Sequence, residues 1–458
     1  MKSLKLFHLL CICVLFIISI AWAERKDLIL LSQDPYTDAA GGQHSTEVEP
    51  MMAAHGSTIV TAFQVARFQG TGSENIGWAT SLDRGTTWKR GLLSGTTTIA
   101  GGSWYSVSLP IVVFNSKFNF WLISLTGYDN QGNSYGVYIS RSYDGLKWSK
   151  PTPVVTSSTL DKEWIACDNS HKSPNYGNCY AAWFDTSSFI DYFTVSKDGG
   201  SSWSSPIASP DQATGELGSM VVQPNGHVIM VGTYGGLNFD QEYSIQSVDG
   251  GTTLNASVNF STFQFNFPAQ GAMRADPFPT SGVDSKGVVY VVYPDCRFRP
   301  NCATNDLVLT TTSDGINWSP LQRIPIDPVT SGADHFITGL GVSKGLDDDF
   351  GEDGSPTRLA LGYYYFPNGN CDINSCELHA GFISSQDGGS AWSPFVDVAG
   401  PVSLNWLATT VAGQMVGNNI SAIFVSGVPF SAYALAQPPN PKTGKLNEAI
   451  FAAKFEGE

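Results

Sequence analysis

The sequence predicts an all-β protein made of repeated four-stranded units. Three observations carry this: a turn motif that recurs six times, apolar segments of strand length ahead of each copy, and a composition rich in glycine and aromatics but poor in charge. The motif is clearest in Ser196-Lys-Asp-Gly-Gly-Ser-Ser-Trp203 and returns as Ser81-Leu-Asp-Arg-Gly-Thr-Thr-Trp88, Ser142-Tyr-Asp-Gly-Leu-Lys-Trp148, Ser247-Val-Asp-Gly-Gly-Thr-Thr253, Thr312-Ser-Asp-Gly-Ile-Asn-Trp318 and Ser385-Gln-Asp-Gly-Gly-Ser-Ala-Trp392. Each copy is built to turn. The Asp carboxylate accepts backbone N–H groups just ahead of it, Gly supplies a positive φ, and Trp covers the turn. The Asp residues are 61, 54, 51, 65 and 73 residues apart, a period that signals a repeat with room for four short strands in each unit.

Taken in order, the chain opens with Lys2 and Lys5, an apolar run from Leu6 to Ile20, and Ala21-Trp22-Ala23, the pattern of a secretory signal over residues 1–23. The rest, 24–458, reads as one domain. No later stretch reaches the roughly 18 apolar residues that span a bilayer, so a secreted, extracellular protein is expected. Beyond the signal stand six cysteines in three close pairs, Cys167 with Cys179, Cys296 with Cys302 and Cys371 with Cys376. An even count in a secreted chain favours disulfides, and of the 15 connectivities sequence proximity favours these pairings; a zinc site is the competing reading, disfavoured because the spacings do not repeat as CxxC and no His ladder accompanies them. Sequons at Asn255, Asn259, Asn317 and Asn419 are candidate glycosylation sites. A formal charge of -15 argues against a nucleic-acid partner.

Segments that read as the first strand of each unit begin near Glu47-Val-Glu-Pro, Ser108-Leu-Pro-Ile, Lys162-Glu-Trp-Ile, Glu216-Leu-Gly-Ser, Arg274-Ala-Asp-Pro, His335-Phe-Ile-Thr and Asn405-Trp-Leu-Ala, one more than the turns. The 458 residues less a 23-residue signal leave about 62 for each of seven units. The last unit lacks the turn motif, and either Ser431 to Ala436 with Ala449 to Phe455, or Asp27 to Ser32, supplies its outer strands. The acidic loop Gly345 to Gly354, with Asp347, Asp348, Asp349, Glu352 and Asp353, offers oxygen ligands for calcium; it lacks EF-hand spacing, and a solvated hairpin tip is the preferred reading. No cofactor is otherwise expected.

The six turns resemble the Asp-box (BNR) repeat of the sialidase-like β-propellers. The resemblance implies a single propeller of four-stranded antiparallel blades, seven in preference to six, with an Asp-box between the third and fourth strands, away from the active face. It also implies action on glycans, and a monomer is the expected assembly. Chemistry in such a ring belongs where the first strands begin, at one mouth of the central channel. That selects His44, Glu47, Glu49, Tyr105, Asp161, Lys162, Glu163, Arg274, Asp276, Asp334 and His335, with Gln64, Arg67, Asp185 and Arg297 at the ends of second strands. Charges at positions that would bury well as apolar residues imply a partner or a ligand.

Sialidase-like enzymes bind the sugar carboxylate through three Arg and use a Tyr–Glu nucleophile with an Asp acid/base. That pattern assigns Arg67, Arg274 and Arg297, helped by Lys162, to the substrate, and Tyr105, Glu47, Glu163 and Asp276 to catalysis. This chain departs from the family in carrying Glu47-Val-Glu-Pro50 on the first blade; its Arg323-Ile-Pro325 follows the fifth turn. A polysaccharide lyase acting on uronates would use His44, His335 or Tyr105 as base and Arg274 to neutralise the carboxylate. A glycan-binding propeller without catalysis is the third reading.

Overall fold

The computed structural model describes residues 28–36, 41–211, 215–234, 241–343 and 356–455. The signal segment 1–23 and the acidic loop lie outside them. Among the described residues, strand pairing gives seven successive antiparallel units. The first contains Gly42–His55, Thr58–Phe68, Ser73–Ser81 and Lys89–Leu92. Five more four-stranded units follow, whose inner strands are Ser106–Asn115, Leu160–Cys167, Glu216–Val222, Thr280–Val283 and Asp334–Val342. The seventh has Ser421–Val425, Val428–Ala436 and Glu448–Lys454, completed by Ile29–Leu30 from the other end of the chain. Both alternatives offered for the last unit are thus used together.

One segment from each inner strand lines a single axial cavity of about 290 Å3, among them Met51, Val112, Ile165, Val221, Gly282, Gly341 and Ala422. Neighbouring inner strands pack closely enough to require glycine: a Cβ at Gly339 would lie 2.6 Å from the Ile420 carbonyl oxygen. Hydrophobic clusters fill the spaces between units, such as Val60, Ile76, Trp78, Val112 and Ile123 between the first and second.

All six Asp-box turns join the third and fourth strands of their units. In each, the Ser or Thr hydroxyl donates to the Asp carboxylate two residues on, at 2.8–3.1 Å. The same carboxylates accept backbone N–H groups ahead, as from Thr87, Ser202 and Thr253. The indole N–H groups of Trp88, Trp148 and Trp392 donate to Gly85, Gly145 and Gly389, so Trp latches the turn as well as covering it.

Two inner strands differ from the sequence reading. The strand expected from Arg274 starts only at Thr280, because Pro277 and Pro279 lack the N–H groups a ladder needs. The segment at Asn405 is not an inner strand: Leu404–Trp406 is a 3-10 turn, and Ala408–Thr410 pairs with Gly413–Met415 in a small hairpin. Gly413 and Gly417, at φ 107° and 147°, break the extended run that the apolar residues suggest. The three disulfides pair as expected, Cys167–Cys179, Cys296–Cys302 and Cys371–Cys376.

Candidate active site

Five of the inner strands carry a β-bulge near their start, marked by register shifts at Val48/Met51, Ser108/Ile111, Asp161/Trp164, Leu217/Ser219 and Phe336/Thr338. At four of them a non-glycine residue adopts positive φ: Glu49 (60°), Leu109 (56°), Lys162 (52°) and Ile337 (46°). Bulges re-aim side chains, and left-handed backbone at non-glycine residues is tolerated where surrounding structure over-determines it. Glu49, Leu109 and Lys162 are accordingly turned into one pocket at the channel mouth. The pocket holds about 300 Å3 and also receives Gln64, Arg67, Tyr128, Asp161, Glu216, Arg274, Asp276 and Asn418.

Arg67 comes from the end of a second strand and is 3% exposed. Its Nη1 donates to the carbonyls of Phe68, Gly70 and Gly72, and its Nε to Met415 Sδ, which fixes the guanidinium without neutralising it. Arg274 is placed by the small hairpin, whose Gln414 exchanges backbone hydrogen bonds of 2.8 Å with Ala272 and Arg274. Its Nε donates to Asn418 Oδ1 at 3.0 Å. Among the described residues, neither guanidinium is in an ion pair. Burial, and then the nearby Arg274 charge, push Arg67 down to about 10, with Glu49 opposing.

Lys162 lies 3.4 Å from Glu216 and 4.1 Å from the Phe278 ring centroid. Burial works to lower it, but Glu216, Asp161 and Asp276 outweigh burial and raise it, so it stays charged. Glu49 accepts from the Gln64 amide and from Asn418 N. Tyr128 is buried, with Ser108 Oγ donating to its hydroxyl at 3.4 Å; burial, then Asp161 and Glu163, raise its phenol well above the usual range. Glu163 is in the throat between pocket and channel and 2% exposed, with Thr126 the side chain that opposes the effect of its burial. Burial raises it well above the ordinary carboxyl range.

The structure therefore brings Arg67, Lys162, Arg274 and Asp276 together, with Glu163 beneath them. Glu49, Gln64 and Asp161 line the same pocket, and the remaining candidates lie elsewhere. His44 faces Asp34 at 3.2 Å. Glu47 is buried at the seam between first and last units, accepts from Ser32 Oγ at 2.7 Å, and is raised by burial to about 8. Tyr105 is 41% exposed and packs on Phe68, outside the pocket lining. Arg297 is committed to Asp295 at 2.7 Å. His335 is buried against Tyr365 and lowered by burial to about 4.

His335, Asp306 and Asp327 place ligand-type atoms within 4.8 Å of one another. Arg299 and Arg323 bridge both carboxylates at 2.6–3.0 Å, which makes the group an ion-pair network. Of the sequons, Asn255, Asn259 and Asn317 are exposed, whereas Asn419 is half-buried and lines the throat. Sequence reasoning missed Tyr128, Glu216 and Asn418. Tyr128 ends a second strand, the same signal that picked out Gln64 and Arg67, and Asn418 sits in a connection with no readable period.

No known family matches the sequence, and no curated protein does. Solved structures do match. The endosialidase of phage phi92 is 11% identical with a TM-score of 0.52, over 95% of this chain and 70% of that one. The ulvan lyase of polysaccharide lyase family PL25, bound to -[GlcA(1-4)Rha3S]-, is 11% identical with a TM-score of 0.52, over 91% and 96%. The fold is that of the sialidase-like β-propellers. The NanB sialidase from Streptococcus pneumoniae also matches, at 14% identity and a TM-score of 0.44, over 94% of this chain and 70% of that one. In this propeller the candidate pocket lies at the end of the channel opposite the Asp-boxes.

Proposed function

We propose that this propeller is a secreted, monomeric, carbohydrate-active enzyme that hydrolyses glycans at a terminal acidic sugar. The observation that carries the reading is the pair of guanidinium groups, Arg67 and Arg274, held in one pocket with no carboxylate of the protein in ion-pair contact among the described residues. Two such charges, outside ion-pair contact with any carboxylate of the described residues, favour an anionic ligand, and a sugar carboxylate matches their forked donors. Lys162 adds positive charge on the same wall.

Around this anchor, Asp161, Glu216 and Asp276 are the half-buried carboxylates lining the pocket; Glu216 is paired with Lys162 at 3.4 Å, and Asp276 and Asp161 serve as acid/base candidates. Glu163, buried in the throat, is a candidate proton donor, and Tyr128 is the phenol nearest in role to a nucleophile. His44, Glu47, Tyr105 and His335 have no part in this site. The disulfides suit an oxidising compartment, which supports secretion.

A lyase is the second reading, because Tyr128 shares the pocket with the two Arg and would serve as base beside a neutralised uronate. Mass spectrometry of products from sialylated and uronate-containing glycans in heavy-oxygen water separates the two. Solvent oxygen at a new reducing end of a saturated sugar is the expected result. An unsaturated uronate formed without water would replace hydrolysis by elimination, and no cleavage across the panel would leave a binding module.

A further inference from the structure

A second cavity opens between the fifth and sixth units, apart from the pocket around Arg67 and Arg274. It holds about 500 Å3, and its walls include Asn266, Phe267, Gln270, Thr330, Asn368 and Asn370. Arg299 also borders it, but that guanidinium is committed to Asp306, Asp327, the Pro328 carbonyl and Ser331. The surface offered to a ligand is thus neutral and rich in amides; Asn266 Nδ2 donates to the Ala303 carbonyl and Asn368 Oδ1 accepts Asn370 N, and a ligand meets the donors and acceptors that remain. Phe267 is 46% exposed, and its ring meets Phe265 edge to face at 5.2 Å, which fixes its orientation.

The walls are also pinned. Cys296–Cys302 closes the loop that carries Pro300 into the lining, and Cys371–Cys376 begins at the residue after Asn370. Gln270 Nε2 reaches the Cys371 carbonyl at 3.4 Å, tying one wall to the other. Two of the three disulfides therefore brace one cavity, and a braced site loses little freedom when a ligand binds.

We propose that this cavity binds a neutral sugar residue, its apolar face on Phe267 and its hydroxyls on the surrounding amides. Sugar hydroxyls donate and accept at once, as the amides do, and a fixed aromatic ring supplies the flat apolar contact. The segment from Phe267 to Arg274 runs from this cavity to the acidic-sugar pocket, so the two are at most about 25 Å apart. One oligosaccharide with an acidic end and a neutral body can then occupy both. That last step rests on the function proposed above; neutral-sugar binding itself does not.

Isothermal titration and saturation-transfer NMR with maltotriose, cellotriose and xylotriose test the site on the whole protein. At least one trisaccharide is expected to bind wild type. Phe267→Ala should weaken it roughly tenfold through the lost ring contact, and Arg274→Ala should leave it unchanged. Asn370→Ala, in an exposed loop, should weaken it several-fold and decides the matter if the Phe267 variant does not fold. No binding by any trisaccharide overturns the proposal even where acidic glycans are cleaved. Binding lost in Arg274→Ala but kept in Phe267→Ala also overturns it, by placing the sugar in the other pocket. Neutral-sugar binding without cleavage of acidic glycans would leave this site standing and remove the function proposed above.

Discussion

At the scale of single residues, Arg67 and Arg274 do the same electrostatic work by different means. Arg67 is clamped by backbone carbonyls of the turn 68–72, whereas Arg274 hangs from a side-chain amide and a borrowed hairpin. Arg274→Ala should therefore lower kcat/KM on an acidic-sugar substrate by about 100-fold while leaving the melting temperature nearly unchanged. Arg67→Ala should cost as much activity and also destabilise the fold, by about 1–3 kcal/mol, because buried carbonyls lose their donor. Lys at position 274 should recover only part of the loss, since an ammonium cannot present a bidentate fork. Steady-state kinetics and thermal unfolding on the three variants check this split. Equal stability loss in both Ala variants would contradict the difference in how the two groups are held.

At the scale of elements, the Asp-boxes and the small hairpin have separable roles. The Asp-boxes close hairpins on the face away from the pocket, so Asp198→Ala should lower the melting temperature by roughly 2 °C and leave turnover unchanged. The hairpin Ala408–Thr410 with Gly413–Met415 instead spans the mouth, joined to Gln43, Gln69 and Ala272. Gln414→Pro removes the N–H that bonds Ala272 and should raise KM about tenfold by loosening Arg274. Kinetics at fixed protein concentration would show it. These two elements also mark what the sequence could reveal. The Asp-boxes were legible because each is local, with Ser, Asp, Gly and Trp at fixed offsets doing one mechanical job. Arg67, Lys162, Arg274 and Asp276 were legible because charge at the start of an inner strand or the end of a second one violates a burial pattern. The hairpin was not, since its apolar residues mimic a strand and only Gly413 and Gly417 argue otherwise. His335 and Glu47 satisfy the same burial signal as Arg274 but answer it with protein partners, a distinction that depends on long-range contacts no local pattern encodes.

At the scale of the whole molecule, the ring is closed by joining both chain ends in one unit, which removes its exposed edges. The seam holds two buried acids. Glu47 accepts from Ser32, whose hydroxyl in turn accepts Ile450 N at 2.8 Å, and Glu448 accepts Ala408 N at 2.8 Å; among the described residues each has one oxygen without a partner. Burial raises Glu47 to about 8, and Glu448 well above the normal range. Burial likewise raises Glu163, Asp191 and Glu242 well above normal, and Asp334 to about 7. A carboxyl raised in the folded state gives stability that is full below its unfolded pKa of about 4 and is lost as pH climbs through the folded value. His335, lowered to about 4, runs the other way and loses stability as pH falls from about 6.5. It is one group against these six and Glu74 and Asp168, which burial also raises, and the formal charge of -15 at pH 7 adds self-repulsion that also fades on acidification. The opposite limit comes from the Asp-boxes, where hydrogen bonds led by those from Thr87 and Asn317 hold Asp83 and Asp314 near about 2, so their contribution disappears as pH falls below about 4. Stability should thus peak between about pH 4 and 5 and decline steadily toward pH 8. Glu47→Gln should flatten the decline, because the amide keeps the acceptor for Ser32 and has no proton to lose; Glu448, its neighbour at the seam, shares that titration. Urea unfolding from pH 3.5 to 8.5 for wild type and Glu47→Gln measures both curves, and a wild type most stable at pH 7 to 8 would show that the buried acids are already ionised in the folded ring.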